Sequence, residues 1–380
     1  MTRLLYLVNI PRFFVSHRLP LALAAGAAGY EVHVATAGDD APNVETIRAA
    51  GLPFHPLPLR QHGTNPLQEL AAARAIHALY RRLRPDIVHQ VTIKAVIYGG
   101  AAARLARVPA VVNAVTGLGY VFTETGVKAA LLRAGSSAAY RLAFGHPNSL
   151  TIFQNPDDLA QFVEYRLLPP ERAILIKGSG VDMAEFQPQP EADGPPVVLY
   201  AGRLLWPKGV GEFVEAARRL RAAGARARFA IAGYGEPGSP INVPPETLAA
   251  WGDEGAVEVW GRRNDMPQVY AQAHIVCLPS YYREGIPRVL IEAGACGRAV
   301  VAADVSGSRD IVRDGENGLL VPPRDVDALA AALRRLIEDD DLRRRLGARG
   351  REIASAEYSF EGVAAATLAV YRQLLEEARP

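Results

Sequence analysis

The sequence predicts an α/β protein in which two doubly wound, Rossmann-like domains face each other across a cleft. Three observations support this class. Predicted strands and helices alternate through both halves of the chain, a Pro- and acid-rich stretch (QPQPEADGPP) at 187–196 interrupts the alternation once, and 380 residues suit about two domains. We expect domains at 1–185 and 186–359, and a C-terminal helix at about 360–380 is a candidate to pack back on the first.

The N-terminal half begins with a short buried strand followed by a polar segment, a helix ending at glycine and a second strand. Its predicted elements are strand Leu4–Val8, loop Ile10–His17, helix Arg18–Gly29, strand Glu31–Ala35, helix 66–83, strand Asp86–Val91, helix 94–107 and strand Ala110–Val115. Such alternation predicts a parallel sheet covered by helices on both faces.

The second half repeats the pattern after the linker. Its predicted elements are strand Val197–Ala201, a Gly/Lys loop, helix 210–223, strands Ala227–Ala232, Val257–Trp260 and Ile275–Leu278, helix 288–296, strand Ala299–Ala302 and an amphipathic helix at 326–338. Ligands of doubly wound domains bind at the carboxyl ends of the strands, so candidate residues should follow strands.

Composition excludes several classes of protein. Hydrophobic residues make up 49% of the chain and charged residues 22%, which excludes a disordered chain. Cys277 and Cys296 match no zinc or disulfide pattern, which favours a reducing cytoplasm. Leu4–Val8 is too short for a signal-peptide core, and no run of about 18 apolar residues predicts a membrane span.

Charge is concentrated in residues 60–141, which hold 11 Lys and Arg against 3 Asp and Glu, a net charge of +8. Such a stretch either binds an anionic partner or is a solvated face. Because the segment carries no nucleic-acid-binding motif and the whole chain has a net charge of only +2, we expect no nucleic acid partner.

The first chemical motif is Arg283–Leu290 and the helix that follows it. Glu284 and Glu292 are eight residues apart, and Pro287 suits the first turn of a helix whose amides are free to bind an anion. One of the two carboxylates can face a reacting sugar, and the other can accept hydroxyl hydrogen bonds from a ribose. Phosphates would lie between them, on Gly285, Ile286, Pro287, Arg288 and Val289. The alternative is two surface glutamates near a helix start.

The second motif is the segment Gly202–Gly209, which contains Arg203 and Lys208 between a predicted strand and a helix. A guanidinium makes forked contacts with phosphate and an ammonium acts as a point charge, so the two side chains can converge on a pyrophosphate. The alternative is an ordinary strand-to-helix turn with solvated bases.

Together these motifs resemble the retaining glycosyltransferases of family 4. The family's E-x7-E pair lies on Glu284 and Glu292, and its phosphate-binding bases lie on Arg203 and Lys208. The resemblance extends over nearly the whole chain, through the segments Gly178–Asp182, Trp260-Gly261-Arg262, Asp310–Val312 and Asn317–Val321. Ser179 stands where the family usually has asparagine, and Trp260-Gly261-Arg262 corresponds to the base-binding loop. It implies the GT-B architecture, a UDP-sugar donor bound by the C-terminal domain, and front-face attack that retains configuration.

Three N-terminal segments resemble bacterial enzymes that extend polyprenyl-diphosphate-linked sugars. These segments are Phe14–Pro20, Val91–Lys94 and Thr116–Phe122, each following a predicted strand. The resemblance implies acceptor-side roles for His17, Arg18, Lys94, Thr116, Gly117 and Gly119. Gly117 and Gly119 would allow close approach of the backbone to a sugar. No catalytic histidine is carried over at Thr116–Gly117, and His89, inside a strand, is predicted to be a packed histidine.

A membrane role is predicted for Val127–Phe144. At 100° per residue Val127, Leu131, Leu132 and Leu142 share a face, with Arg133 and Arg141 opposite, as in a helix lying on anionic lipid. The alternative is a helix packed on its own domain. We therefore expect peripheral attachment to the inner face of the plasma membrane.

No metal or cofactor is expected. Asp39 and Asp40 form no DXD pattern, and no His/Cys/carboxylate cluster has metal-ligand spacing. Arg203, Lys208 and helix amides can instead neutralise the leaving diphosphate.

Other functions are compatible with parts of the sequence. A nucleotide-sugar 2-epimerase would need no acceptor motifs, and a non-catalytic sugar-nucleotide sensor would keep Arg203 and Lys208 without turnover. A dinucleotide-dependent oxidoreductase is disfavoured because Asn9–Arg12 stands where G-x-G-x-x-G would be expected. An acceptor that is soluble rather than lipid-linked also stays open.

Overall fold

The computed structural model describes residues 1–60, 65–115, 140–236, 238–282 and 285–378. The chain divides into two compact units. Unit 1 comprises Met1–Ser179 and the residues from Val363 onward, and unit 2 comprises Gly180–Gly362.

In unit 1 the described residues form a seven-stranded parallel sheet with the order β3-β2-β1-β4-β5-β6-β7. Its elements are β1 Thr2–Val8, α1 Pro11–His17, α2 Leu19–Ala27, β2 Tyr30–Ala37, α3 Ala41–Ala49, β3 Phe54–Leu57, α4 Pro66–Leu83, β4 Ile87–Val91, α5 Ile93–Ala106, β5 Ala110–Val115, β6 Ser149–Phe153, α6 Pro156–Glu164 and β7 Ala173–Leu175. Every residue of β4, β5 and β6 is buried, as expected for central strands covered on both faces.

The predicted loop at Ile10–His17 is wrong, because this segment forms α1. Pro11 occupies the first turn, where its missing N–H leaves no hydrogen bond unmade, and Arg18 separates α1 from α2. The single helix predicted over Arg18–Gly29 is correspondingly shorter. The polar residues of the segment suggested a loop, but Phe14 is fully buried and holds α1 against the core.

In unit 2 the described residues form a six-stranded parallel sheet with the order β10-β9-β8-β11-β12-β13. Its elements are β8 Val197–Arg203, α7 Val210–Ala222, β9 Arg228–Tyr234, α8 Pro245–Asp253, β10 Glu258–Gly261, α9 Met266–Gln272, β11 Ile275–Leu278, α10 Arg288–Ala295, β12 Ala299–Ala303, α11 Ser308–Ile311, β13 Gly318–Val321, α12 Val326–Glu338, α13 Asp340–Tyr358 and α14 Phe360–Glu377, of which α14 continues into unit 1.

The boundary between the units lies at 179/180 instead of 185/186. Val181 donates its N–H to the carbonyl of Tyr358 at 3.0 Å and accepts from the N–H of Phe360 at 2.9 Å, and Phe186 is buried in the core of unit 2. The Pro-rich stretch is part of unit 2 as well, because buried Arg298 donates to the carbonyls of Gln189 and Pro190.

The C-terminal helix α14 packs on unit 1 through a buried polar contact. The hydroxyl of Tyr371 lies 2.8 Å from the hydroxyl of Tyr6 on β1 and 2.5 Å from Nδ1 of His89 on β4. Side chains far apart in sequence therefore fix the position of this helix on the sheet.

Both sheets contain a point at which the strand order reverses direction. It lies between β1 and β4 in unit 1 and between β8 and β11 in unit 2. The loops leaving two such strands diverge to opposite faces of the sheet and open a crevice, which is where doubly wound domains bind ligands.

Candidate active site

Two loops meet at the carboxyl end of β8 and β11 in unit 2. The backbone N–H groups of Tyr281 and Tyr282 donate to the carbonyl of Pro207 at 3.0 and 3.1 Å. These hydrogen bonds tie the Arg203–Gly209 segment to the loop that leads toward Glu284. The two motifs, more than 70 residues apart, therefore lie side by side.

Gly209 makes this contact possible. Its φ is +77°, and a Cβ there would lie 2.1 Å from the carbonyl oxygen of Pro279. Both the left-handed backbone and the lack of space exclude other residues. Gly209 is also the residue from which α7 starts, so it directs the chain from Lys208 into the helix.

The two predicted phosphate ligands lie in the first of these loops. Arg203, directly after Gly202, is the last residue of β8, so the strand is two residues longer than predicted. Lys208 ends a 3₁₀ turn, and only 7% of its surface is exposed. The guanidinium of Arg203 donates through Nη1 to Oε2 of Glu236 at 2.7 Å.

The helix after β11 begins where the sequence predicted. Pro287 precedes α10 in an extended conformation, and the helix starts at Arg288. Gly285, Ile286, Pro287, Arg288 and Val289 thus form the entry to its first turn, where backbone N–H groups lack helical partners. Glu284 lies outside the described residues.

Glu292 lies inside α10 as predicted, and it is 8% exposed. Its Oε2 accepts from the hydroxyl of Tyr270 at 2.8 Å, and its Oε1 accepts from Nε of Arg288 at 2.7 Å. Burial raises the pKa of Glu292 despite the charge of Arg288. A functional carboxylate in such a setting carries a cost in stability.

Gly261 and Arg262 lie at the end of β10. The guanidinium of Arg262 stacks over the ring of Tyr234, 4.8 Å from its centroid, and Tyr234 ends the neighbouring strand β9. This edge of the sheet thus presents a flat cation beside an aromatic ring, a surface suited to a planar base.

In unit 1 the ends of β1 and β4 are joined at the reversal point. Thr92 donates from its hydroxyl to Oδ1 of Asn9 at 2.7 Å. Thr92 has a φ of +82°, a strained value for a β-branched residue. Such strain is retained where the surrounding structure holds the residue in place. Because of this conformation, α5 starts directly after Thr92, at the carboxyl edge of the sheet.

Lys94, in the first turn of α5, is paired. Its Nζ lies 2.7 Å from Oε1 of Glu69 on α4. Burial acts to raise the pKa of Glu69, but hydrogen bonds from Lys94 and Tyr98 outweigh it and the pKa is lowered. Lys94 and Tyr98 therefore share Glu69 as a hydrogen-bonding partner.

His17 ends α1 and does not lie in a loop as predicted. Its ring stacks on Phe13 with centroids 4.4 Å apart, and Nδ1 lies 2.6 Å from the hydroxyl oxygen of Ser16. Both contacts come from its own helix, and they orient the imidazole.

Arg18 is 4% exposed and lies in the field of Tyr6 and Tyr371. Burial lowers its pKa. Within the described part of the chain, its Nε has no hydrogen-bond acceptor and no carboxylate forms an ion pair with it. An uncompensated buried cation is costly, so this group requires explanation.

His89 is a packed histidine, as predicted. It is 1% exposed, stacks on Tyr6 and contacts Tyr371 through Nδ1. Burial lowers its pKa well below the ordinary value, so the ring is neutral.

Other predicted residues lie outside the described part of the chain. These are Thr116, Gly117, Gly119 and the Val127–Phe144 segment up to residue 139. Of the described end of that segment, Tyr140 and Phe144 are buried, whereas Arg141 and Leu142 are exposed.

Sequence reasoning missed three polar partners of the candidate residues: Glu236, Glu69 and Tyr270. Glu236 follows β9 by two residues, so the rule that ligand-binding residues follow strands would have selected it. Glu69 and Tyr270 lie on helices, and no local pattern marks them.

The described residues also bear on metal binding and membrane crossing. No group of three or more His, Cys, Asp or Glu residues there is arranged to hold a metal ion. None of the helices in the same residues is long and apolar enough to cross a bilayer.

Comparison with known proteins agrees with this geometry. A family model described as "Glycosyl transferases group 1" matches residues 195–339, and one described as "Glycosyl transferase 4-like" matches residues 3–155. The chain belongs to these glycosyltransferases. The two matches fall on the two sheets, one on each.

A known relative matches this glycosyltransferase over most of its length. The Campylobacter jejuni N,N'-diacetylbacillosaminyl-diphospho-undecaprenol alpha-1,3-N-acetylgalactosaminyltransferase is 28% identical over 372 residues, covering 94% of this chain and 95% of its own. The D-inositol 3-phosphate glycosyltransferase of a Nocardioides species is 34% identical, but the match covers only 55% of this chain and 50% of its own.

Solved structures share the fold. HepE of Anabaena in complex with UDP and glucose has a TM-score of 0.78 at 22% identity, covering 98% of this chain and 100% of its own. Sucrose-phosphate synthase from Thermosynechococcus elongatus has a TM-score of 0.79 at 22% identity, covering 99% and 100%. The glycosyltransferase therefore has the GT-B fold.

Proposed function

We propose that this glycosyltransferase moves a hexose or N-acetylhexosamine from a UDP-sugar to a lipid-diphosphate-linked sugar in bacterial surface glycan assembly, with retention of configuration. The observation that carries the proposal is the convergence of Arg203, Lys208 and the start of α10 at the β8/β11 reversal point. Two cations and a helix N-terminus at one edge form a site for a diphosphate.

In this proposal the donor binds to unit 2. Arg203, Lys208 and the amides at Gly285–Val289 hold the diphosphate and stabilise the charge that develops on it as the sugar leaves. Arg262 and Gly261 lie beside the base, and Glu292 accepts from the ribose hydroxyls. Tyr270 and Arg288 occupy two of the roughly four lone-pair sites of this carboxylate, so its oxygens can also accept from a hydroxyl.

The family resemblance assigns to Glu284 the role of facing the donor sugar. The acceptor hydroxyl attacks from the face the leaving group vacates, and its proton passes to a diphosphate oxygen. The C1–O bond to the diphosphate breaks as the new glycosidic bond forms, so no covalent enzyme intermediate and no metal are required. This mechanism follows from the family resemblance.

The acceptor binds to unit 1. Arg18 supports an anionic acceptor, because a diphosphate oxygen would supply the acceptor atom that its guanidinium lacks. Lys94, Glu69 and Tyr98 provide donors and acceptors for sugar hydroxyls. The Campylobacter relative, whose name specifies an undecaprenyl-diphosphate-linked substrate, supports the same class of acceptor.

The decisive experiment offers the purified enzyme a panel of UDP-sugars with a short-chain polyprenyl-diphosphate sugar. Products are identified by mass and anomeric configuration, with and without EDTA. We expect an α-linked product from an α-linked donor and full activity in EDTA. If the enzyme transfers only to soluble sugars, the acceptor is soluble and not lipid-linked. If the donor sugar is epimerised and no transfer occurs, the protein is an epimerase. Activity restored only by magnesium or manganese would overturn the metal-free diphosphate site.

A further inference from the structure

Glu236 is a buried carboxylate to which the candidate site assigns no role. Its side chain is 8% exposed, whereas that of its partner Arg203 is 37% exposed, and the two form a 2.7 Å ion pair. The carboxylate therefore approaches the guanidinium from the protein side. A guanidinium carries five N–H donors, so those away from Glu236 stay available for an anion.

The loop that carries Glu236 is held by its own hydrogen bonds. Asn242 accepts from the N–H of Glu236 through Oδ1 at 2.8 Å and donates through Nδ2 to its carbonyl at 2.6 Å. A side-chain amide that bonds both backbone groups of one residue fixes the position of that residue. Leu205 and the same Asn242 form an antiparallel backbone β-bridge, which links this loop to the Arg203–Lys208 segment.

We infer that Glu236 is a positioning residue for the transfer reaction, acting through Arg203. An arginine side chain has several rotatable bonds, so an unrestrained Arg203 would lose conformational entropy when it contacts the leaving diphosphate. The ion pair with Glu236 makes Arg203 lose that entropy during folding instead. It also keeps the guanidinium plane turned toward the diphosphate. The inference rests on the proposed function, because it requires Arg203 to contact the leaving group.

The test is a double-mutant cycle on the full-length enzyme. Glu236→Ala should lower kcat about tenfold or more while Tm changes little, because water can solvate the partly exposed Arg203. In an Arg203→Ala background, Glu236→Ala should have almost no further effect on kcat. Glu236→Gln keeps an oxygen that accepts from Nη1, so it should recover most of the lost turnover.

The Arg218–Glu254 ion pair supplies a matched control. Its atoms are 2.6 Å apart in the same unit, and both side chains are exposed. Glu254→Ala should leave kcat and KM unchanged, which separates loss of any ion pair from loss of this one.

The outcomes distinguish the inference from the function on which it depends. If Arg203→Ala itself leaves UDP affinity and turnover unchanged, the diphosphate assignment fails. If Arg203→Ala is damaging but Glu236→Ala is harmless, only the role of Glu236 fails. Equal kcat losses from Glu236→Ala in both backgrounds would mean that the carboxylate serves the loop and not Arg203.

Discussion

Burial shifts the pKa of two candidate side chains in this glycosyltransferase. Glu292 and Arg18 are both nearly inaccessible, and burial disfavours the charged form of each: the pKa of the acid is raised and that of the base is lowered. Neither residue is needed to complete a hydrophobic core. Charges held against burial are typical of functional sites, where stability is sacrificed for binding.

Arg203→Ala and Lys208→Ala should each weaken UDP binding and lower turnover. Under the proposed function each variant loses a charge-assisted contact to the leaving group, which costs about 2–4 kcal/mol in the transition state. Donor titration by calorimetry and steady-state kinetics measure the two effects. Arg218→Ala, which removes an exposed base of the same unit, is the control. Wild-type UDP affinity and turnover in both test variants would contradict the assignment of Arg203 and Lys208 as phosphate ligands.

Glu292→Gln should stabilise the ligand-free enzyme while weakening UDP binding. Since the folded pKa of Glu292 is raised, its favourable contribution exists below the unfolded value and is lost as pH rises through the folded one. The gain in Tm of the variant should therefore be larger at pH 8 than at pH 4.5. Thermal unfolding across this range tests the sign, and a variant less stable at pH 8 would contradict it.

At the scale of elements, strand ends and the turns that follow them create the sites. Gly209 lets the loop after β8 contact Pro279 after β11, and Thr92 at φ +82° turns β4 directly into α5. Neither conformation is favourable locally. Each is held by contacts with a neighbouring strand end.

Gly209→Ala should destabilise unit 2 and weaken UDP binding. A Cβ would clash with backbone 2.1 Å away, which cannot move without displacing the β11 loop. Gly224→Ala is the matched control, because it has a φ of +80° and nothing within 4 Å of its Cβ. The control should cost about 1 kcal/mol and keep UDP affinity, whereas Gly209→Ala should cost clearly more. Equal melting temperatures for the two variants would contradict the clash.

The whole molecule joins residues from both ends of the chain. Tyr371 on α14 contacts Tyr6 on β1 and His89 on β4, so unit 1 is completed by the last helix of the chain. The neutral His89 ring in this contact makes the stability of the molecule depend on pH.

Stability should fall as pH decreases below about 6.5, and part of the fall should come from His89. Its folded pKa is depressed, so its contribution is present above the unfolded pKa and is lost as pH falls toward the folded one. His89→Gln should be less stable at pH 8 but lose less stability between pH 7 and pH 5. His55, His146 and His274, whose pKa values burial also lowers, would contribute to the remaining slope. Parallel melting curves for wild type and variant would exclude a role for His89.

The molecule should also bind anionic membranes. This prediction rests on the sequence pattern of Val127–Phe144; in its described end Leu142 is 53% exposed, and the exposed Arg141 donates to the carbonyls of Tyr165 and Arg166. We expect the protein to sediment with anionic liposomes, and less of it to sediment at high salt. The double variant Leu131→Asp with Leu132→Asp should lose this sedimentation, and so should Leu142→Asp. Leu23→Asp, an exposed leucine of α2, is the control. UDP binding should survive in every variant, and a wild type that never sediments would favour a soluble acceptor.

The sequence by itself determined the class of fold and the location of the Arg203–Gly209 segment and of α10. Runs such as Ala110–Val115 and Val326–Glu338 appear at the predicted bounds, because hydrophobic periodicity and flanking glycines or prolines are local signals. The same holds for the start of α10 at Pro287 and Arg288. Strand-end positions then placed Arg203 and Lys208 correctly at one edge of a sheet.

Only the tertiary structure decided which groups surround those residues. The pairing of Arg203 with Glu236, of Glu292 with Tyr270 and of Lys94 with Glu69 depends on which strands and helices are neighbours, and strand order is not encoded in any local window. The helix at Pro11–His17 also needed the core, since burial of Phe14 outweighs the polar composition of the segment. Long-range packing therefore set the partners, the burial and the proton states, while local chemistry set the elements.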